Sequence, residues 1–296
     1  YAISKVFGAA FSKKRQSRHV AKNRIHEKQT NIYYYDRVSL SVIILLICSG
    51  IFAGVVNTFA GAAAVVSISV YTALGLPIEV ANGTNRLPVL FQVGAAAFNF
   101  RRQKLLDLSV GLRLGIPMAV GAVAGAEFAA WVSPSVFVVL LATILILLLT
   151  LLIFSPNRIL KGSGRPVRTI RRLDYLWFSL VGIYGGAFPI GMGYVILGLT
   201  VVGMGYDMIT ANALKSFIVM LYIPLTLAVY MWHGQVAYGY GLIHAVGNVI
   251  GAYVASRYAT RINTQLLRWL LIGFIAVTVL DLFKIISIRD ALSHIL

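Results

Sequence analysis

Long apolar runs recur through the whole chain, and they restrict its fold more than any other feature of the sequence. The clearest covers residues 137–154, with the sequence FVVLLATILILLLTLLIF. A run of about 20 apolar residues is long enough to cross the hydrocarbon core of a bilayer as a helix. Only 12% of the residues are charged, which is roughly half the fraction in a soluble domain. The sequence therefore predicts an all-α integral membrane protein with several crossings.

Basic residues outnumber acidic ones by 26 to 9, a balance that in a soluble protein would suggest a nucleic-acid partner. Here the lysines and arginines lie mainly between the apolar runs, in the segments 1–38, 101–104, 155–172 and 257–268. This distribution follows the rule that cytoplasmic loops carry positive charge. We therefore expect a multi-pass protein of the inner (cytoplasmic) membrane, with the lipid bilayer as its surroundings and no nucleic-acid partner. A homo-oligomer is left open.

The order of apolar and basic segments predicts two similar halves of about five apolar segments each. Residues 61–76 and 193–206 are too short to cross a bilayer comfortably, so we expect half-helices or re-entrant segments there. The predicted parts are a basic cytoplasmic arm, a first transmembrane repeat, a basic linker, a second repeat and a C-terminal tail, at 1–38, 39–154, 155–172, 173–286 and 287–296.

Three short motifs occur once in each half and in the same order, which predicts an internal duplication. The pairs are residues 50–54 with 182–186, 121–125 with 247–251, and 81–86 (ANGTNR) with 211–216 (ANALKS). The G-xxx-G spacing in the glycine motifs allows close contact between helices. If the short segments return to the side they entered, the two halves have the same orientation and the basic segments 1–38, 101–104 and 155–172 share one face, which the charge of the linker favours. If every segment crosses, the halves are inverted, which is the alternative.

The last motif places a cation inside an apolar span of each half, Arg86 in the first and Lys215 in the second. Such residues usually face a protein interior or a water-filled cavity, because a charge in hydrocarbon is costly. Helical spacing puts amide and hydroxyl side chains on the same faces. We therefore predict an anion-binding site formed by Asn82, Thr84, Asn85, Arg86, Asn212, Lys215 and Ser216. Alternatively, both cations are structural, and they reach the membrane surface or pair with an internal acid such as Glu127.

Small-residue loops precede the two short segments and predict helix breaks beside the substrate. The residues concerned are Asn57, Gly61, Pro189 and Gly193. His244 lies in the middle of an apolar segment, and an unperturbed histidine titrates near neutral pH. It is one candidate for proton coupling, together with Glu127, although a buried histidine also commonly forms a hydrogen bond between helices.

The sequence contains no pattern typical of a catalytic site. It lacks H-E-x-x-H, a phosphate-binding loop, Cys/His metal spacing and G-x-S-x-G. Its one cysteine, Cys48, excludes an internal disulfide and a cysteine metal cluster. We therefore expect no enzymatic activity, no cofactor and no metal site. Transport would run down a gradient or be coupled to an ion.

Residues 40–286 resemble the TauE/SafE family of sulfite and organosulfonate transporters. The resemblance rests on the small-residue loops, on the turns GLP (75–77) and GYD (205–207) that precede the two cationic motifs, and on the basic RRQK at 101–104. It implies a membrane transporter for small sulfur-containing anions, exporting sulfite or moving organosulfonates. We predict alternating access for such a transporter. An anion channel and a non-transporting scaffold subunit are the alternatives.

Overall fold

The computed structural model describes residues 39–60, 63–154, 166–257, 264–283 and 285–286, and every regular element in these ranges is helical. The helices are α1 (Leu40–Ala60), α2 (Ala64–Ala73), α3 (Ile78–Thr84), α4 (Arg86–Arg102), α5 (Leu108–Trp131), α6 (Pro134–Phe154), α7 (Arg172–Ala187), α8 (Met192–Leu197), α9 (Met208–Trp232), α10 (Tyr238–Arg257) and α11 (Thr264–Leu282). A π-helical segment, Gly198–Gly203, continues α8. The predicted arm 1–38, the tail 287–296 and most of the linker 155–172 lie outside the described residues. The prediction of an all-α protein is confirmed.

Three of the described helices, α1, α5 and α9, are long and apolar enough to cross a membrane. The shorter α2 has 10 residues, which at about 1.5 Å per residue covers about half of the hydrocarbon thickness. Helix α8 and its π-helical continuation form the corresponding short apolar stretch, Met192–Gly203. These lengths agree with the half-helices expected within residues 61–76 and 193–206.

A glycine turn ends each of the two short segments. Gly75 and Gly205 have φ values of 92° and 86°, a conformation that glycine adopts without the steric cost of a side chain. The helix that follows the second turn has a side-chain cap, because the Asp207 carboxylate accepts the backbone N–H groups of Ile209 and Thr210 at 2.9 and 3.0 Å. Hydrogen bonding to Thr210 holds the pKa of the Asp207 carboxyl below its usual range. Both turns therefore start a helix that carries a copy of the cationic motif.

A proline separates α3 from α4 at Asn85. Pro88 has no N–H to donate to the carbonyl oxygen of Thr84, four residues earlier, so the helical hydrogen bonding is interrupted there. Asn85 itself keeps near-helical φ and ψ values of −60° and −19°. The first cationic motif therefore lies at an interruption in a helical segment, whereas the second copy lies inside the continuous helix α9.

Glycines bring two helix pairs into close backbone contact. In the pair α5 and α7, a Cβ built on Gly125 would overlap the carbonyl oxygen of Ile183, and one built on Gly186 would overlap that of Ala122. The pair α1 and α10 has the same arrangement. Added Cβ atoms would overlap backbone atoms of the neighbouring helix at Gly50, Gly54, Gly121, Gly125, Gly182, Gly186, Gly247 and Gly251. The motif at 50–54 in the first half thus packs against the motif at 247–251 in the second. Likewise, the motif at 121–125 packs against the motif at 182–186.

The same contacts give the relative directions of the helices. Gly50 and Gly54 of α1 approach the carbonyl oxygens of His244 and Asn248 in that order, so α1 and α10 run parallel. Helix α4 also runs parallel to α10, because Thr84 hydrogen-bonds Ala237 and Leu87 lies against Gly241. Helices α1 and α4 therefore run in the same direction, and α2 returns the chain between them.

The segment formed by α3 and α4 runs antiparallel to α9. Asn82, near the start of the α3–α4 segment, donates a hydrogen bond to the Tyr230 hydroxyl, near the end of α9, at 2.9 Å. These are the two segments that carry the cationic motif. If the two halves correspond to each other, they therefore have opposite orientations in the membrane. The same-orientation arrangement that the basic linker favoured is wrong for these helices, because it assumed that the short segments return to the side they entered. The duplication itself stays a prediction.

Candidate functional site

A cavity of about 40 Å³ lies where α1, α2, α4, α8, α9 and α10 meet. A buried water needs roughly 10–15 Å³ measured in this way, so the space corresponds to about three waters or one small oxyanion. Its polar lining residues are Asn57, Ser67, Asn85, Gln92, Lys215, Ser216, Tyr222 and Asn248. The remaining lining residues are apolar or backbone-only, which makes this a concave, largely apolar site with a few convergent polar groups.

Much of the cavity lining comes from matched positions in the two halves. Asn85 and Lys215 each occupy the fifth position of the motif, and both line the cavity. The same interval along the chain relates further pairs of lining residues: Val89 with Val219, Gln92 with Tyr222, and Val93 with Ile223. This correspondence supports the proposed duplication and relates two opposing walls of the cavity.

Lys215 is the cation of this cavity. Its side chain is 7% exposed, and its ammonium forms no hydrogen bond or ion pair with any residue that the structure describes. A buried ion is costly unless another group compensates its charge. The ammonium therefore lines the cavity without a described residue that compensates its positive charge.

Asn85 lies at the matched position and is fully buried. Neither its Nδ2 nor its Oδ1 has a hydrogen-bond partner within the described part of the chain. The neighbouring polar groups are already engaged: Ser216 donates to the Asn212 carbonyl oxygen at 2.8 Å, and Gln92 donates to the Gly54 carbonyl oxygen at 3.2 Å. Since buried amides almost always have partners, Asn85 has donor capacity available for a molecule in the cavity.

Arg86 is fully buried but does not line the cavity. Its Nη1 and Nη2 atoms donate to the carbonyl oxygens of Gly185 and Gly186 at 2.8 and 2.7 Å, and its guanidinium lies 5.2 Å from the centre of the Tyr230 ring. These carbonyls belong to the C-terminal turn of α7, where the helix dipole favours a cation. Arg86 therefore caps a helix. The structural alternative in the sequence analysis had it reach the membrane surface or pair with an acid, and it does neither among the described residues.

The other three residues of the predicted anion site also lie outside the lining. Asn82 donates to the Ala187 carbonyl oxygen at 3.0 Å as well as to Tyr230. The Thr84 hydroxyl accepts the Ala237 N–H at 2.8 Å. Asn212 donates to the carbonyl oxygen of Met208 within its own helix at 3.0 Å. Of the seven predicted ligands, the structure brings Asn85, Lys215 and Ser216 together at the cavity.

The two candidates for proton coupling are in different surroundings. His244 is fully buried, and its Nε2 lies 3.0 Å from the hydroxyl of the cavity residue Ser67. Glu127 pairs instead with His233 at 3.0 Å and accepts a hydrogen bond from Trp131. It also remains substantially exposed, and it contacts neither Arg86 nor Lys215. Only His244 is therefore connected to the cavity.

The predicted helix breaks are placed as follows. Asn57, Pro189 and Gly193 all line the cavity, while Gly61 lies outside the described residues. The predicted break is wrong for Asn57, which lies inside the continuous helix α1, and for Gly193, which lies in the first turn of α8. Pro189 belongs to the interruption between α7 and α8, whose last residue, Gly191, has a φ of 74°. In the second half, a helix break therefore borders the cavity.

The sequence model of the sulfite exporter TauE/SafE family matches residues 46–282, a range that contains every residue that lines the cavity. The chain belongs to this family. Its membership is consistent with the apolar helices described above, and it makes the protein a multi-pass membrane transporter. The family description is one of transport, in line with the expectation that the protein is not an enzyme.

Two relatives are similar to this chain over most of their length. A probable membrane transporter protein, ORF9, of Sinorhizobium sp. is 27% identical over 237 residues, which cover 79% of this chain and 90% of the relative. A probable membrane transporter protein of Haemophilus influenzae is 22% identical over 236 residues, covering 78% and 90% respectively. No solved structure matches the chain.

Sequence reasoning missed several lining residues of this TauE/SafE member. Gln92 and Asn248 are buried amides in apolar helices, and Ser67 lies in the short helix α2. The signal was available for two of them: Gln92 lies seven residues after Asn85, and Asn248 lies four after His244, spacings that place helical residues on one face. Ser67 carries no such signal, because a single serine in an apolar segment is common.

Proposed function

We propose that this protein is a secondary transporter of small sulfur-containing anions, sulfite or an organosulfonate, that works by alternating access in the cytoplasmic membrane. The observation that carries the proposal is the buried ammonium of Lys215, which lines the cavity without a described residue that compensates its charge. The family description supplies the kind of anion, since it names sulfite export. The charge and the donors of the cavity are consistent with that substrate class.

The electrostatics favour an anion in contact with Lys215. Two opposite unit charges 4 Å apart attract by about 4 kcal/mol at the effective dielectric constant of a protein site, against about 1 kcal/mol in water. Binding would also relieve the cost of the buried ammonium. With one cation and a volume of about 40 Å³, the cavity suits an anion of a few heavy atoms rather than an extended molecule.

The proposed roles of the residues follow from their contacts. Lys215 supplies the charge and the Asn85 amide donates from the matched position, while Ser216, whose hydroxyl is held by the Asn212 carbonyl oxygen, forms part of the wall beside them. Arg86 holds the end of α7, and thereby the break that contains Pro189. The sequence predicted two cationic ligands, Arg86 and Lys215, whereas the proposed site has one cation, Lys215, and one neutral amide, Asn85. A single charge with a neutral donor would hold a small anion and still allow its release.

The support for alternating access is the inverted direction of the matched segments. Inverted repeats with interrupted helices at a central site are a common plan of secondary transporters. Here α3–α4 and α9 run antiparallel, and the α7–α8 break borders the cavity. Movement of one half against the other would then open the same cavity to each side of the membrane in turn.

The proposal is tested with the purified protein in proteoliposomes. Uptake of radiolabelled sulfite and methanesulfonate is compared with uptake of sulfate and chloride. Lys215→Met should abolish uptake, because it removes the cavity's positive charge while keeping an unbranched side chain. Lys104→Met is the matched control, since Lys104 lies in an exposed turn after α4, and it should transport like the original protein.

The alternatives give different results in the same vesicles. A carrier loaded with unlabelled sulfite accumulates labelled sulfite by exchange, whereas a channel only equilibrates it. A scaffold subunit shows no uptake at all. Unchanged uptake in Lys215→Met would contradict the proposed site, and selective uptake of chloride alone would contradict the substrate class.

A further inference from the structure

His244 stands directly behind the wall of the anion cavity. It lies on α10, is fully buried, and its Nε2 is 3.0 Å from the hydroxyl oxygen of Ser67. Ser67 lies on α2 and lines the same cavity as Lys215. A titratable ring is thus one hydrogen bond away from the space that the anion would occupy.

Unsatisfied polar atoms surround this ring. Within the described residues, the Nδ1 atom of His244 has no hydrogen-bond partner, and neither has the Oδ1 atom of Asn248 or the hydroxyl of Tyr71. Asn248 follows His244 by one helical turn, lines the cavity and is 2% exposed. Buried polar atoms without partners are rare in native proteins. Their concentration around one histidine indicates that its present hydrogen bonding is incomplete.

The charged and titratable neighbours of His244 are few. Helix α2 contributes Tyr71, whose ring centre lies 5.3 Å from that of the histidine. Helix α1 approaches with the backbone of Gly50, and α3–α4 packs on α10 through the neutral residues Thr84 and Leu87. Helix α9 contributes the ammonium of Lys215 on another wall of the cavity. No described carboxylate is paired with His244.

A proton on His244 would complete this arrangement. Neutral imidazole has one N–H donor and one acceptor nitrogen, while the protonated ring donates from both nitrogens. In the neutral ring with Nδ1–H, Nε2 accepts the Ser67 hydroxyl proton, and that O–H is not available to an anion. In the protonated ring, Nε2–H would donate to Ser67 and leave its O–H for the anion, while Nδ1–H would donate to the unpaired Asn248 oxygen one helical turn away. The cost would be a second positive charge near Lys215. That cost falls when an anion occupies the cavity between them.

We propose that His244 is the proton-binding group that couples proton movement to anion transport, with Ser67 linking the ring to the cavity. The inference rests on the proposed function, because it requires an anion in the cavity of Lys215. Coupling of two binding sites is reciprocal: if a bound proton strengthens anion binding, a bound anion strengthens proton binding by the same factor. Anion and proton would therefore enter and leave the cavity together.

The test measures binding of methanesulfonate, whose charge does not change over the pH range used. Its affinity for the purified full chain is determined at about pH 5 and about pH 7, on either side of the ordinary histidine pKa and at values where the lysine of the cavity keeps its charge. We expect affinity to be roughly tenfold higher at the lower pH, within the usual range of coupling between sites. His244→Gln should bind with the same affinity at both pH values, because glutamine can still hydrogen-bond Ser67 but cannot titrate.

Two further variants make the outcome specific. His233→Gln removes the histidine that pairs with Glu127, and it should keep the pH dependence of the original protein. Ser67→Ala removes the link to the cavity and should reduce that dependence, which provides a second route if His244→Gln fails to fold. A pH dependence that persists in His244→Gln, or none in the original protein, would overturn the coupling.

Failure of the underlying function gives a different pattern. If the original protein binds methanesulfonate at neither pH, the anion site itself is contradicted, and with it the coupling. If binding is lost in Lys215→Met but is independent of pH in the original protein, the site stands and only the role of His244 is wrong.

Discussion

The two buried cations, Arg86 and Lys215, have opposite relations to their surroundings, and stability measurements should separate them. Arg86→Met removes a guanidinium that satisfies the carbonyl oxygens of Gly185 and Gly186. Hydrogen bonds to charged groups contribute about 1.5–3 kcal/mol each, so we expect the free energy of unfolding to fall by about 3 kcal/mol. Thermal or denaturant unfolding in detergent micelles measures this loss.

Lys215→Met should have the reverse effect on stability. No described residue pairs with the ammonium, so its removal relieves a desolvation cost and should raise the free energy of unfolding by about 1 kcal/mol. The same variant should lose anion binding. If Arg86→Met were instead fully stable and unable to bind sulfite, Arg86 would be a ligand, as the sequence alone predicted.

At the scale of the helices, backbone contact at glycine holds α5 against α7. Gly125→Ala would push a methyl group into the Ile183 carbonyl oxygen, so we expect a loss of about 2 kcal/mol or more in the free energy of unfolding. Gly94→Ala in α4 is the matched control, because nothing lies within 4 Å of an added Cβ there. It should be neutral or stabilising by up to about 1 kcal/mol. Equal effects of the two substitutions would argue against tight α5–α7 packing.

The turns that end α4 and α9 offer a second pair of substitutions. Lys104 has a φ of 59°, whereas the corresponding turn after α9 has Gly234 with a φ of 67°. A side chain costs about 1 kcal/mol in this conformation. Lys104→Gly should therefore stabilise the protein by about 1 kcal/mol, and Gly234→Ala should destabilise it by a similar amount. Denaturant unfolding of both variants checks the signs, and the same sign for both would refute the argument.

At the scale of the whole molecule, the directions of the helices predict which loops share a side of the membrane. Pro77 and Asp207 precede the two cationic motifs at matching positions and are both exposed. With antiparallel segments they lie on opposite sides. A membrane-impermeant thiol reagent applied to intact cells should label only one of Pro77→Cys and Asp207→Cys. The basic loops near Asp207 place it inside, so we expect Pro77→Cys to react. Because α1 begins on the side of Pro77, this outcome would contradict the cytoplasmic side that the sequence predicted for the basic arm 1–38.

The labelling experiment needs a background without the native thiol, because Cys48 is exposed on the surface of the described residues. Cys48→Ala provides it. Labelling of both variants only after the cells are opened would show two internal loops, and the inverted arrangement would then be wrong. Permeabilised cells serve as the control that both thiols are reactive.

The sequence by itself determined the class of protein and predicted part of the candidate site. Long apolar runs have one stable solution in a bilayer, which is helical, so the all-α fold followed from composition and spacing. The matched motifs also pointed to Lys215, Asn85 and Ser216, since charged and amide residues in such runs must face the interior. These conclusions depend on local properties of the sequence, namely the length of the apolar runs and the spacing of polar residues within them.

Only the tertiary structure decided which cation faces the cavity and how the halves are oriented. Arg86 and Asn85 are adjacent in the chain, but successive residues point about 100° apart on a helix. One of them therefore reaches the cavity, and the other reaches the end of α7. The charge of the loops could not give the direction of each segment. That direction depends on whether the short helices return to the side they entered or cross the membrane. Contacts between residues far apart in sequence set both outcomes, and no local pattern records such contacts.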